Sequence, residues 1–304
     1  MQYSTFAAID IGSYDVILEI FEISKKQGIR SVDKICHRME LGKDTYTLGK
    51  IRPEMEEELC RVLADFVRIM EGYRVDAYRA MASSAISEAA NSLYVLGKIR
   101  QLTGLSVTVL SNSEQRFLGY KALAAMEDNF NKVIEKGTAI LDLDGGSFQI
   151  SLFDKDALVT TQNIRMGSLR VRERLAGIQS ETEHYEEMVE ELIWNEVSSF
   201  KKMYLKDRKI ENIMLIGDVF TDSVYQNIEE KTTKIISREN FNTWYEKIIR
   251  QSPMELAVKL GIPLENASLM YPSAVIYKCL IDMMEAEHVW IPGVHMTRGI
   301  AYEY

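Results

Sequence analysis

Cysteine is scarce in this chain, and the three present, Cys36, Cys60 and Cys279, are odd in number and far apart. That excludes a disulfide scaffold and any zinc ribbon or finger, and it predicts a reduced, cytoplasmic setting. Histidine is equally sparse: His37, His184, His288 and His295 are isolated, and none pairs with Cys or Asp at ligand spacing. No apolar run is long enough to span a bilayer, so no membrane role is expected. The chain enters an apolar strand pattern almost at once, which leaves no visible signal peptide. Low-complexity segments are missing. There is no basic excess either, since a net charge of −9 argues against general nucleic-acid affinity. A local cluster of amides and Arg can still hold an anion, because a distant field is screened within a Debye length.

What is present is an ordinary globular composition, 46% hydrophobic and 27% charged over 304 residues, enough for two domains each with its own core. One stretch organises the rest. Residues 138–153 read TAILDLDGGSFQISLF: an apolar run, Asp142-Leu143-Asp144, then Gly145-Gly146-Ser147, then alternating apolar positions. Two β-like runs around an Asp-Gly-Gly turn predict a hairpin, because Gly supplies the backbone freedom of tight turns. Such a turn sets carboxylates beside unobstructed backbone N–H groups, which suits a phosphate with a divalent cation next to it. A second copy lies roughly 130 residues upstream, FAAIDIGSYDVILEIF at 6–21, with Asp10, Gly12 and Ser13 in the matching places. A strand–turn–strand repeated at domain spacing predicts two similar α/β lobes with their turns facing one another across a cleft.

Between the two hairpins, Pro53 to Tyr73 reads as a helix with Pro near its start, acids in its first turn and an apolar stripe through Leu59, Leu63, Phe66 and Met70. A short strand over 75–81 precedes Ser83-Ser84, either of which is placed to cap a helix and leave N–H groups aimed at an anion; an ordinary cap fits equally. That helix is expected to run on through residue 104. A strand at 105–110 is followed by a helix opening at Ser111-Asn112-Ser113-Glu114-Gln115. The polar segment 126–137 marks the expected boundary, giving lobes at 1–124 and 125–304. Beyond it come a Gly-centred turn with Arg165 and Arg170, a helix over 182–205, a buried strand ending at Gly217-Asp218, and a helix over 269–288. Arg165, Arg170, Arg172 and Arg174 form either a steering surface for an anion or a solvated helix face.

The order of these pieces resembles the exopolyphosphatase/guanosine-pentaphosphate phosphatase (Ppx/GppA) family of the actin-like ATPase superfamily. The matching segments are AAIDIGS at 7–13, MASSAISEAAN at 81–91, VLSNSEQRFLGYKAL at 109–123, LDLDGGSFQISLF at 141–153, RMGSLRVRERL at 165–175 and TRGIAYE at 297–303. The resemblance implies two actin-like (ribonuclease H-like) lobes, each a mixed five-stranded sheet with helices, and a cleft between them. It also implies removal of the terminal phosphate of inorganic polyphosphate or pppGpp, with Mg2+ as cofactor; a homodimer is left open.

Carried onto this chain, the resemblance assigns Asp10, Asp142 and Asp144 to the cation. Gly12, Ser13, Ser83, Ser84, Gly145, Gly146 and Ser147 go to the phosphates, and Glu114, Gln115 and Gln149 to the catalytic positions. Several positions depart from the family pattern. Tyr14 and Asp15 replace small polar residues, Ser87 stands where an Arg is usual, Gln115 and Gln149 replace glutamates, and Asp144 replaces a glycine. A neutral amide takes no proton from water, and losing a general base costs on the order of 10²–10⁴ in rate. The alternative to hydrolysis is therefore a member that binds a phosphorylated ligand or partner without efficient turnover.

Overall fold

The computed structural model describes residues 3–26, 28–126, 130–176, 184–206, 208–217, 219–227 and 235–304. Contacts divide the chain into two units, Met1–Ala125 with His295–Tyr304, and Met126–Val294.

The first unit runs β1 (Ser4–Ile11), β2 (Asp15–Ser24), β3 (Gly28–Arg38), α1 (Leu41–Leu48), α2 (Pro53–Gly72), β4 (Ala77–Ala82), α3 (Ser84–Ser87), α4 (Ser92–Thr103), β5 (Val107–Val109) and α5 (Asn112–Met126). Its sheet has the order β3-β2-β1-β4-β5, antiparallel in the β1–β2–β3 meander and parallel where β4 and β5 return through helices. The apolar stripe of α2 is buried as its spacing requires, with Leu59 and Leu63 fully covered and Phe66 and Met70 nearly so. Each such side chain contributes roughly 1.5–3 kcal/mol by leaving water.

The second unit follows with α6 (Phe130–Ile134), β6 (Thr138–Leu143), β7 (Phe148–Asp154), β8 (Ala157–Ile164), α7 (Ser168–Leu175), α8 (Tyr185–Phe200, continued by a π-helical turn over Lys201–Leu205), β9 (Asn212–Ile216), α9 (Val219–Asn227), β10 (Ile235–Ser237), α10 (Arg238–Ile249), α11 (Pro253–Leu260), α12 (Leu264–Met284) and β11 (His288–Trp290). The sheet order is β10-β11-β9-β6-β7-β8. The closing helix α13 (Met296–Glu303) belongs to the first unit.

Both Asp-led hairpins form: β1 pairs with β2 and β6 with β7, each antiparallel and in register. Three expectations need correction. The second sheet has six strands, not five, because the three-residue β10 joins its edge. The last ten residues pack with the first unit: Thr297 Oγ1 donates to buried Glu19, Tyr304 stacks on Phe6 at 4.4 Å, and Arg79 pairs with Glu303 at 2.8 Å. A Cβ at Gly299 would lie 2.3 Å from the Leu118 carbonyl oxygen, so only glycine lets α13 approach α5 this closely.

The helix expected through residue 104 breaks between α3 and α4. There the Asn91 amide accepts from Ile51 N–H at 3.0 Å and donates to Ile51 O at 2.8 Å and to Glu56 at 2.8 Å. Ala90 N–H donates to Gly49 O at 2.9 Å and so gives no bond to the carbonyl four residues back, which interrupts the helical ladder. The polar segment 126–137, expected as the boundary, opens the second unit and contains α6, which buries Phe130, Val133 and Ile134. Asp218 and residues 182–183 lie outside the described residues.

Candidate phosphate-binding turns

In the first unit, β1 ends one residue past Asp10, and the turn closes with Gly12 N–H donating to Asp15 O at 2.9 Å. Asp10 is half-buried, while Gly12 and Ser13 are buried. The next layer comes from α1. Gly42 N–H donates to Ser13 O at 2.7 Å, and Thr45 Oγ1 donates to Ala85 O at 2.7 Å, so α1 is fastened to both the turn and α3. This brings Tyr46 to Ser13 and Ser84: its Oη lies 2.7 Å from Ser13 Oγ and 2.8 Å from Ser84 Oγ. Ser83 is the N-cap residue of α3, yet its buried hydroxyl makes no capping bond and has no partner among the described residues.

The extra carboxylate beside this turn is locally offset. Asp15 is buried, its Oδ2 is 3.3 Å from Arg38 Nη1, and the Arg38 guanidinium stacks over the Tyr14 ring at 5.7 Å. The register pairs Asp15 with Arg38 directly across β2 and β3.

In the second unit the turn is held from behind. Asp144 N–H donates to Ser147 O at 2.9 Å, and the start of α7 closes over the loop, with Ser168 N–H donating to Asp144 O at 3.2 Å and Arg170 N–H to Gly145 O at 2.9 Å. Arg170 Nε adds a bond to Gly146 O at 2.8 Å. Gly167 makes this approach possible, since a Cβ there would sit 2.2 Å from Asp144 O and 2.4 Å from Ser147 N. Gly217, at φ +108°, does the same at the end of β9, where a Cβ would lie 2.7 Å from Asp142 Oδ1. Asp142 and Asp144 are half-buried, and Gly145, Gly146 and Ser147 are buried. Gly145 N–H donates to Asp144 Oδ1 at 2.6 Å, so in this structure the residue's own carboxylate takes the amide assigned to phosphate. The Ser168 hydroxyl is buried and without a partner among the described residues.

The candidate catalytic residues separate. Glu114 is exposed and closes a capping box on α5: Ser111 N–H and Oγ–H donate to its Oε2 at 2.8 and 2.6 Å, and Glu114 N–H donates to Ser111 Oγ at 3.3 Å. The Ser111 hydroxyl and N–H hold its carboxyl below the ordinary glutamate value of 4.5. Gln115, the next residue, is buried. Gln149 is also buried, opposite Asp142 in the β6–β7 ladder. The basic stretch is largely structural. Arg172 bonds Glu173 at 2.6 Å and Ser268 at 2.8 Å, and Arg174 Nη1 reaches Met166 Sδ at 3.7 Å.

Among the described residues, no group of three or more His, Cys, Asp or Glu is placed to hold a metal ion. Asp142 and Asp144 are half-buried hard oxygen donors on one turn of the second unit, and Asp10 is a half-buried carboxylate on the turn of the first. One or two such carboxylates fit a magnesium-type ion, which keeps several waters and is completed by substrate phosphates. No helix among the described residues is long and apolar enough to cross a membrane.

Two mixed sheets, of five and six strands, each opening on an Asp-led hairpin, define an α/β protein. The chain belongs to the Ppx/GppA phosphatase family, whose sequence profile matches residues 19–304, a range that begins after the Asp10 turn. It is 21% identical over 238 residues to a bifunctional 3-dehydroquinate synthase/phosphatase of Fusobacterium nucleatum, covering 74% of this chain and 34% of that protein. It is 25% identical over 144 residues to exopolyphosphatase 1 of Mycobacterium leprae, covering 47% of this chain and 41% of that one. In both pairs the match spans well under half of the relative's length. An exopolyphosphatase structure from Cytophaga hutchinsonii superposes with a TM-score of 0.85 at 18% identity, over 98% of this chain and 97% of that one, which establishes the shared fold.

Sequence reasoning missed Tyr46 and Ser168. The hydroxyl of Ser168 was within reach of inference, because it follows Gly167 at the start of a helix beside the basic pair. Tyr46 carried no local signal.

Proposed function

We propose that this protein is a phosphohydrolase that removes a terminal phosphate from inorganic polyphosphate or pppGpp with the help of a divalent cation. The observation that carries the reading is the pair of Asp-led hairpin turns, each with its Gly-Ser backbone held rigid by a neighbouring helix. Family membership and the exopolyphosphatase names of relatives support it. A cytoplasmic site of action fits both candidate substrates.

In this reading Gly12, Ser13, Gly145, Gly146 and Ser147 cradle phosphate oxygens, joined by Ser83 and Ser84 at the start of α3. Asp10 and Asp142, with Asp144, would hold the cation, which when bound neutralises charge on the phosphoryl group. Phosphoryl transfer asks mainly for positioning and charge neutralisation, so preorganised amides account for much of the catalysis. Buried Gln115 orients the attacking water through its amide, and Gln149 fixes the Asp142 end of the turn. Glu114 serves α5 as its cap.

A second reading is favoured by the two buried neutral amides at Gln115 and Gln149: a protein that binds the phosphorylated ligand with little turnover. Phosphate release from long-chain polyphosphate and from pppGpp, with Mg2+, separates the two. Turnover abolished by Asp142→Asn supports hydrolysis. Ligand-induced thermal stabilisation without turnover supports the binding reading.

A further inference from the structure

We propose that Arg170 is a positioning residue for phosphate: by holding the Gly146 carbonyl it aims and strengthens the Ser147 N–H as an anion donor. This rests on the phosphate-binding reading above, and it gives one member of the basic stretch a task other than steering or solvation.

The first N–H groups of a helix have no intrahelical acceptor and take one from outside. At α7 the Gly145-Gly146 loop supplies it, since Ser168 N–H donates to Asp144 O at 3.2 Å and Arg170 N–H to Gly145 O at 2.9 Å. The Arg170 side chain takes the next carbonyl in line, with Nε–H donating to Gly146 O at 2.8 Å. The donor in each of these bonds is fixed by chemistry, because neither a backbone N–H nor a guanidinium accepts.

A peptide unit between non-proline residues is planar and trans, so its N–H points opposite to its C=O. The N–H groups of Gly145, Gly146 and Ser147 therefore face away from the α7 donors that hold the carbonyls before them. Successive N–H groups of a turn form an anion-binding concavity. One of them already meets a carboxylate, because Gly145 N–H donates to Asp144 Oδ1 at 2.6 Å. The N–H groups of Gly146 and Ser147 meet no acceptor among the described residues, although both residues are buried. A buried donor left unmet costs free energy, and a phosphate oxygen removes that cost. Ser147 N–H belongs to the same peptide unit as Gly146 O. A cationic donor on that oxygen polarises the unit and makes its N–H the stronger donor.

Arg170→Met and Arg170→Lys test this, with tripolyphosphate and Mg2+ as the probe in calorimetry and long-chain polyphosphate in turnover. Methionine removes both donor and charge, whereas lysine keeps the charge but puts a methylene where Nε–H stands. We expect Arg170→Met to weaken tripolyphosphate binding about 3- to 10-fold, the scale of one hydrogen bond, and Arg170→Lys to lose nearly as much. KM should rise in parallel while kcat changes less. The loss should persist at about 1 M salt, where the Debye length is about 3 Å and long-range steering is screened. Unchanged binding by Arg170→Met, full recovery in Arg170→Lys, or a loss that vanishes in high salt each overturn the proposal. A lower kcat at unchanged KM, the mark of partly unfolded protein, overturns it as well. The Arg170→Lys arm decides the matter even if Arg170→Met folds poorly. A wild-type protein that binds no tripolyphosphate overturns the phosphate-site reading and this inference together, whereas wild-type binding that both variants leave intact overturns this inference alone.

Discussion

Gln149 stands directly opposite Asp142 in the antiparallel β6–β7 ladder, buried to within 3% of full coverage. Opposed residues in such a ladder have Cα atoms about 4.5–5.5 Å apart. A second carboxylate at 149 would therefore share a poorly hydrated space with Asp142. Gln149→Glu is expected to lower the thermal midpoint in EDTA, by about 1–3 kcal/mol of stability for an uncompensated buried group, and to recover most of it in millimolar Mg2+. Equal midpoints with and without the metal would show that no cation binds near Asp142.

Gln115 occupies a buried position one residue after the capping Glu114. Successive helical residues point about 100° apart, so the two cannot exchange places. Gln115→Glu is expected to raise kcat, by up to on the order of 10²–10⁴ if it restores a general base. A rate profile rising with pH through the carboxylate range would accompany that gain. No gain in phosphate release would remove Gln115 from the catalytic position.

Asp144 spends its Oδ1 on Gly145 N–H, the amide that a phosphate would use. Asp144→Ala frees that donor and removes a negative charge. As a cation ligand Asp144 is needed for phosphate binding, so the variant should bind tripolyphosphate more weakly and need more Mg2+. Binding that tightens by a few-fold, the scale of one hydrogen bond, would instead show that the carboxylate competes with phosphate. Titration calorimetry at two Mg2+ concentrations distinguishes these outcomes.

The Glu114 carboxyl, held below its ordinary value of 4.5 by Ser111, makes a prediction about pH. A depressed folded-state pKa means that the native protein binds fewer protons than the unfolded chain. The associated stability is present above about 4.5, the unfolded glutamate value, and is lost as pH falls through the folded value. Glu114→Gln should lower the thermal midpoint at pH 7, and the gap to wild type should close in acid. A pH-independent gap would mean that the cap acts without its charge.

How much of this was legible in the sequence depends on the range of the forces involved. Both hairpins were legible because alternation and the Asp-Gly signals are local, and so was α2, whose stripe repeats at helical period. The three-residue strands β5, β10 and β11 are too short for periodicity to mark their ends, though β5 was caught within a longer strand. At the break between α3 and α4, Ala90 N–H bonds Gly49 O and the Asn91 side chain bonds Ile51, both about 40 residues away in the chain, and no local pattern announces it. The ion pair of Asp15 was not legible, because its partner, Arg38, becomes adjacent only when β3 pairs with β2. The site was legible as two turns. Its hydroxyl lining from α1 and the clamp of α7 on the Gly145-Gly146 loop were not, since both depend on helix packing.

The central claim is that the Asp142 turn is a phosphate site that works with a divalent cation. Calorimetry of tripolyphosphate binding to the wild type and to Asp142→Asn, each with Mg2+ and in EDTA, tests it most directly. Wild-type binding is expected to depend on Mg2+, and Asp142→Asn is expected to weaken it and to remove most of that dependence. Binding by Asp142→Asn equal to that of the wild type, with the same response to Mg2+, would contradict it.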